Sequence, residues 1–197
     1  MKYDNEIWNK YTDDNEKSKQ KELTQFFYHI CTALGAKKIC EVGCNIGNNL
    51  SGFPKDFEVY GIDRNEYALE KAKVNHPSFK FEKMSINEIN FPDSFFDLVF
   101  TRGVLIHIPS DELDECLKQI LRVSKKWIFH LEYFGNDGEM IKWSRGDNLL
   151  WYRNMKKRWS KYNVEVISET DISENLDFGK MRFTLLRKND TLINDLR

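Results

Sequence analysis

The apolar run Ile39-Cys40 leads into Glu41-Val42-Gly43-Cys44-Asn45-Ile46-Gly47-Asn48-Asn49, and Asp63 closes a second apolar run, Val59-Tyr60-Gly61-Ile62. Small, turn-forming residues directly after a strand let a ligand approach the backbone, and a helix starting there turns free N–H groups toward it. An acid 20 positions after Gly43 ends the neighbouring strand. In a Rossmann-like sheet a carboxylate placed there can hold both ribose hydroxyls. Together these features predict a nucleoside-binding cradle of strand, tight turn and helix N-terminus, and hence an enzyme.

A chain of 197 residues suits one domain with a full hydrophobic core and is too short for two large ones. The formal net charge is −1 with acids and bases mixed along the chain, so there is no polyelectrolyte pull toward nucleic acid or anionic lipid. A small-molecule partner is expected by elimination, in a monomer or homodimer. Cys31, Cys40, Cys44 and Cys116 show no C-x-x-C or Cys/His spacing, which reads as reduced thiols. The N-terminal residues lack an apolar signal core and no apolar run nears the roughly 18 residues of a membrane span. A soluble, cytoplasmic protein is expected. No His/Asp/Glu cluster has ligand spacing, so no metal site is predicted.

Leu23, Phe26, Phe27, Ile30, Cys31 and Leu34 recur at helical spacing before Gly35, which predicts a helix covering one sheet face. Short apolar runs then alternate with helical stretches: 39–42, 59–62, 79–84, 96–101 and 127–131 read as strands. The clearest helix runs from Asp111 to about Val123, with Ser110 as its cap. Residues 132–162 break the rhythm, being rich in aromatic and charged residues, and read as an insertion covering a site. Residues 164–167 and 181–186 read as a last pair of strands, antiparallel at the sheet edge.

The predicted fold is α/β: a Rossmann-like, doubly wound, mostly parallel seven-stranded sheet with an antiparallel edge strand. The expected single domain divides into N-terminal helices (1–35), a cofactor-binding core (36–131), a substrate lid (132–162), final strands (163–190) and a polar tail (191–197).

A dinucleotide fingerprint needs G-x-G-x-x-G, but here glycines stand only at Gly43 and Gly47, with Asn45 between and Asn48 at the third position. That argues against NAD. With Glu41 in front and Asp63 behind, the segment resembles the E-x-G-x-G-x-G motif and ribose-binding acid of class I S-adenosylmethionine-dependent methyltransferases. Asn45 in place of the middle glycine is tolerable because Asn visits φ > 0 more readily than other side chains. The resemblance continues through Phe91 to Val99, the fourth-strand entry, and Thr101-Arg102-Gly103-Val104-Leu105-Ile106-His107-Ile108 after it.

The resemblance implies S-adenosyl-L-methionine as cofactor and S-adenosyl-L-homocysteine as product. It implies that Glu41, Gly43, Cys44, Asn45, Gly47 and Asn48 form the cradle, that Asp63 holds the ribose, and that Arg64, Ser85 and Ile86 border the adenine. Thr101, Arg102 and Gly103 would line the methyl donor, and Tyr11, with Trp8, would fold over it or merely anchor the first helix. Many relatives carry an acid where this chain has Ser85. A narrower match joins Glu41 to Leu50, Gly61 to Lys71, Phe96 to Ile108 and Glu132-Tyr133-Phe134, with Arg145-Gly146-Asp147. These segments resemble methylases associated with pseudaminic acid biosynthesis and related surface sugars.

Methyl transfer from a sulfonium is an in-line displacement, so the protein must hold the reacting atoms collinear at about 3 Å and exclude water. An oxygen acceptor needs its proton removed; a neutral amine needs only orientation. His107 is the best-placed imidazole for a catalytic base, against a packing role in its apolar run. Glu132, at the carboxyl end of the fifth strand, is the second candidate, against a cap or lid ion pair. His130 sits deeper and reads as core.

In the lid, Tyr133, Trp143, Arg145 and Asp147 are the expected substrate contacts, since a guanidinium takes a carboxylate in two parallel bonds and aromatics suit a ring. The competing reading has the aromatics pack the lid and the charges face solvent. Two alternatives stay open: the same cofactor with a protein, amino-acid-like or RNA acceptor, and a cofactor-binding regulatory module without catalysis.

Overall fold

The computed structural model describes residues 5–16, 21–173 and 181–189; the tail expected at 191–197 lies outside them. The elements run α1 (Asn5–Asn15), α2 (Lys21–Ala33), β1 (Lys38–Val42), β2 (Glu58–Asp63), α3 (Glu66–Asn75), β3 (Lys80–Lys83), β4 (Phe96–Arg102), α4 (Leu113–Val123), β5 (Ser124–Tyr133), α5 (Met155–Trp159), β6 (Val164–Asp171) and β7 (Met181–Lys188). Every strand expected from an apolar run is present. They form one sheet in the order β3-β2-β1-β4-β5-β7-β6.

Strands β1 to β5 pair in parallel. The sheet closes with an antiparallel pair, β7 running against both β5 and the edge strand β6. Strand order reverses beside β1, which pairs with β2 on one side and β4 on the other. Such a reversal opens a crevice beyond the carboxyl ends of the strands.

Successive side chains of a strand point to opposite faces, and the core divides accordingly. Ile39, Leu98, Phe100 and Phe129 face α2, whose Leu23, Phe27 and Cys31 supply the expected stripe. Phe100 stacks on Phe129 with ring centroids 4.6 Å apart, and Phe27 stacks on Phe129 at 5.4 Å. Cys40, Val42, Val99 and Ile128 face the other way, toward Leu113, Leu117 and Ile120 of α4 and Trp159 of α5. Burying each such side chain is worth about 1.5–3 kcal/mol, so the two layers fix how the strand ends are presented.

Two local expectations are corrected. Ser110 does not cap α4: the helix starts at Leu113, after a turn in which the Pro109 carbonyl accepts from the N–H groups of Glu112 and Leu113. Ser110 instead accepts from Arg153 at 3.3 Å. The helix expected after Gly47 is a single 3₁₀ turn, Asn48–Leu50. Asn48, Asn49, Ser51 and Gly52 are poor helix formers and Pro54 follows, so the chain turns back before a full helix develops.

Candidate active site

The chain leaves β1 through a turn with three residues at positive φ: Gly43 (74°), Asn45 (48°) and Gly47 (78°). Asn45 thus adopts the left-handed conformation that made it acceptable in place of glycine. A Cβ on Gly43 would stand 2.4 Å from Val104 Cγ2; the position is closed to any side chain by the loop that follows β4. The Gly43 and Cys44 N–H groups both donate to the Ile62 carbonyl, at 2.7 and 3.0 Å, tying the turn to β2.

Asp63, half-buried at the end of β2, accepts from the Asn45 N–H through Oδ2 and from the Asn65 N–H through Oδ1, each at 2.8 Å. Burial raises its pKa and these amide donors oppose the rise. The bonds fix the carboxylate on the wall of a cavity that Gly43, Cys44, Asn45, Asn48 and Arg64 also line.

Beneath the turn, Glu41 is wholly buried. One oxygen accepts from Asn49 at 2.5 Å and the other has no protein partner. Burial lifts its pKa to about 8.

Helix α1 closes one side. Trp8, Tyr11 and Asn15 line the cavity, and buried Thr12 accepts from the Asn45 amide at 3.2 Å. Asp13 takes the Tyr67 hydroxyl at 2.7 Å and the Lys71 ammonium at 2.8 Å, strapping α1 to α3. On the opposite side, Met84 and Ile86 line the wall and Ser85 between them lines only a neighbouring shallow depression. Arg102 and Gly103 line the cavity, while Thr101, fully buried, lies behind it. Gly47, the last positive-φ residue of the turn, is not among the cavity residues, and a Cβ added there would meet the His76 ring at 2.8 Å.

His107 lines the same cavity. Its Nδ1 is 2.6 Å from the Leu149 carbonyl, which can only accept, so Nδ1 carries the proton and Nε2 the lone pair. Burial lowers the imidazole pKa to about 4, and the ring is neutral at physiological pH. Trp8 and Trp143 pack against it with centroids 4.9 and 5.0 Å away.

Glu132 occupies a different place from the one a base requires. It is 1% exposed and off the cavity wall. Its carboxylate accepts from Thr101 Oγ1 at 2.7 Å and from the N–H groups of Val104 (3.1 Å) and Ile106 (3.3 Å). Burial raises its pKa to about 7 against those bonds. His130 is buried between Thr101 and Trp159, as its depth in the strand suggested.

The lid is held by two isolated bridges, Met140 with Trp151 and Trp143 with Gly146, and ends in α5. It packs Trp143 and Arg145 against the α1 side of the cavity: Trp143 meets Tyr11 at 6.0 Å, and Arg145 pairs with Asp14 at 2.7 Å above the Tyr11 ring. None of the four expected substrate residues is among the cavity residues: Trp143 and Arg145 stand behind Trp8 and Tyr11, Tyr133 pairs with Met181 in the sheet, and Asp147 is exposed. Val104 lines the cavity as part of the segment after β4, and Asn65 and Met84 line it without having been assigned a role from the sequence. Only Asn65 carried a signal, as the residue capping α3 through Tyr67 N–H.

Residues 39–126 match a family described as a methyltransferase domain. That match covers less than half of the chain. The residues of this chain fit S-adenosylmethionine, the cofactor that the sequence resemblance implies. The turn has no room for a side chain at Gly43, Asp63 presents a half-buried carboxylate on the cavity wall, and Glu41 keeps an acceptor oxygen without a protein partner behind the turn.

Over 104 residues the chain is 35% identical to an uncharacterized methyltransferase of Schizosaccharomyces pombe, covering 45% of this chain and 36% of that one. Over 93 residues it is 30% identical to phosphoethanolamine N-methyltransferase 1 of Arabidopsis thaliana, covering 44% of this chain and 19% of that enzyme. The chain therefore spans well under half the length of these relatives. Magnesium protoporphyrin IX methyltransferase of Synechocystis, solved with bound S-adenosylhomocysteine, shares the fold at a TM-score of 0.67 and 15% identity, over 86% of this chain and 83% of that one. The matched segment thus lies between α1 and the lid in the chain. Among the described residues no helix is long and apolar enough to cross a membrane.

Proposed function

We propose that the chain transfers a methyl group from S-adenosylmethionine to a small polar acceptor, the oxygen or amine of a sugar or nucleotide sugar. The observation that carries this is His107: a neutral imidazole on the cavity wall, its tautomer set by the Leu149 carbonyl, enclosed by Trp8 and Trp143. The cofactor supplies an electrophilic methyl group. The residues of this chain do the rest. Asp63 and the turn at 43–48 hold the nucleoside and methionyl ends, and Arg102 borders the latter.

With Nδ1–H engaged, Nε2 is the nitrogen left to take a hydroxyl proton as the acceptor oxygen attacks. Trp8 and Tyr11, backed by Trp143, exclude water and offer flat surfaces to a sugar ring. Arg145, held over Tyr11 by Asp14, stands where an acidic acceptor would exchange for that carboxylate. This arrangement suits the surface-sugar methylases that the segments around Glu41, Phe96 and Arg145 resemble. The four cysteines are unpaired and buried, which suits the cytoplasm.

Calorimetric titration with S-adenosylhomocysteine tests the cofactor half of the reading, and absence of binding would sink it. A screen of fractionated cell extract with labelled donor tests the acceptor half. Label in protein or RNA would replace the sugar assignment, and binding without turnover on any fraction would favour a regulatory module.

A further inference from the structure

Four buried polar side chains form one line of hydrogen bonds under the acceptor end of the cavity. Trp159, on α5, donates its indole N–H to His130 Nε2 at 2.9 Å. His130 Nδ1 lies 2.8 Å from Thr101 Oγ1, and Thr101 donates to Glu132 Oε1 at 2.7 Å. None of the four is more than 1% exposed. Register makes the line possible: Thr101 and His130 are directly paired across β4 and β5, and Glu132 follows on the same face of β5.

The direction of every link is determined. An indole N–H can only donate, so His130 Nε2 accepts. Burial drops the His130 pKa to about 3, and the neutral ring has its single proton on Nδ1, donated to Thr101. The threonine hydroxyl then has its own proton for Glu132. Aligned bonds ending on a carboxylate polarise and strengthen one another in a low-dielectric interior. From Glu132 the line continues into the N–H groups of Val104 and Ile106, the residues leading into His107.

We propose that the line Trp159–His130–Thr101–Glu132 is a positioning device that ties the end of the lid to the 104–107 turn, so that seating of the lid on the body sets where His107 stands. It rests on the reading that His107 faces the acceptor. Glu132, a candidate base by sequence, acts here through the backbone it holds. Thr101 is the link that separates hydrogen bonding from packing, because valine keeps its shape without the hydroxyl and serine keeps the hydroxyl without the methyl.

The test is amide hydrogen exchange on the full chain, with S-adenosylhomocysteine affinity as a second readout. Thr101→Val should speed exchange at Val104 and Ile106 at least tenfold and weaken the ligand several-fold. Thr101→Ser should stay within about twofold of the parent in both, and the Ile62 amide should be unchanged in both variants. The reverse order, or equal behaviour of the two variants, overturns the proposal. Trp159→Phe, which deletes the first donor and keeps an aromatic ring of smaller size, provides a second test should Thr101→Val fold poorly. It should loosen Val104 and Ile106 with the β1–β2 ladder intact, and unchanged exchange there refutes the line. Because exchange needs no ligand, a parent protein that fails to bind S-adenosylhomocysteine would overturn the cofactor reading and leave this result interpretable.

Discussion

Glu132 and Arg153 grip one turn from opposite sides. The carboxylate accepts from the N–H groups of Val104 and Ile106, and the guanidinium donates to the carbonyls of Leu105, at 3.0 Å, and Ile108. The anion takes the donors, the cation takes the acceptors, and both side chains are 1% exposed. A short irregular segment that would otherwise bury unpaired backbone groups is satisfied by two charges that offset each other through it. The cavity residues Val104, His107 and Ile108 belong to this segment.

Arg153→Met keeps most of the side-chain volume and removes the guanidinium. It removes the guanidinium's bonds to the Ile108 and Leu105 carbonyls, the latter keeping only the Ile108 N–H, and leaves Glu132 without its opposing charge, so urea unfolding should show a loss of about 3 kcal/mol. Combining it with Glu132→Gln should cost less than the sum of the single changes. A loss below about 1 kcal/mol for Arg153→Met would show that the turn does not depend on the pair.

Gly43→Ala combines left-handed backbone at φ 74° with a Cβ 2.4 Å from a branched, stiff side chain. Left-handed conformation alone costs an alanine roughly 1–2 kcal/mol. S-adenosylhomocysteine should bind at least tenfold more weakly in calorimetry, and adding Val104→Ala should recover part of that loss. Full recovery would mean that the collision matters and the backbone conformation does not.

His107→Ala should leave S-adenosylhomocysteine affinity within a few-fold, since the cradle and Asp63 are untouched. With a hydroxyl acceptor, turnover should fall roughly 10²- to 10⁴-fold, the range for loss of a general base. Single-turnover measurement with labelled donor reads it directly. Retention of more than a tenth of the parent rate would remove His107 from proton transfer and point to an amine.

Stability should depend on pH in a way set by buried groups. Glu41 and Glu132 have folded-state pKa values raised to about 8 and about 7 from 4.5. Folding therefore retains their protons while the unfolded chain releases them, and stability falls as pH rises through that interval. His107 and His130, lowered from 6.5 to about 4 and about 3, act oppositely, adding stability as pH rises toward 6.5. Between pH 6.5 and 8 only the carboxyl groups remain in play, and at about 1.4 kcal/mol per pKa unit their loss is about 2 kcal/mol. Thermal melts across that range should show the decline, and Glu41→Gln should flatten most of it. A flat parent profile would contradict the assignment.

The strands were legible because each is a short apolar run, and the cradle because glycine and asparagine are the residues that tolerate positive φ at Gly43, Asn45 and Gly47. His107 and Asp63 could be placed at strand ends by the same pattern. Ser85 could not, because whether it or its neighbours Met84 and Ile86 face the cavity depends on a local twist with no periodic signature. Glu132 was misleading for a related reason. Position at the carboxyl end of β5 is a fact of register, but whether a carboxylate there meets a ligand or backbone amides depends on where a segment 26 residues away folds back, as the contact with Ile106 shows.

The sequence by itself determined the sheet, its parallel core and the nucleoside cradle, because apolar periodicity and turn chemistry act over a few neighbouring residues. Only the tertiary structure decided what surrounds the acceptor. Trp8 reaches His107, Arg145 reaches Asp14 across 131 residues, and Arg153 reaches the turn that Glu132 holds. Those meetings follow from helix α1 and the lid packing over one crevice, and long-range packing leaves no pattern in either segment alone.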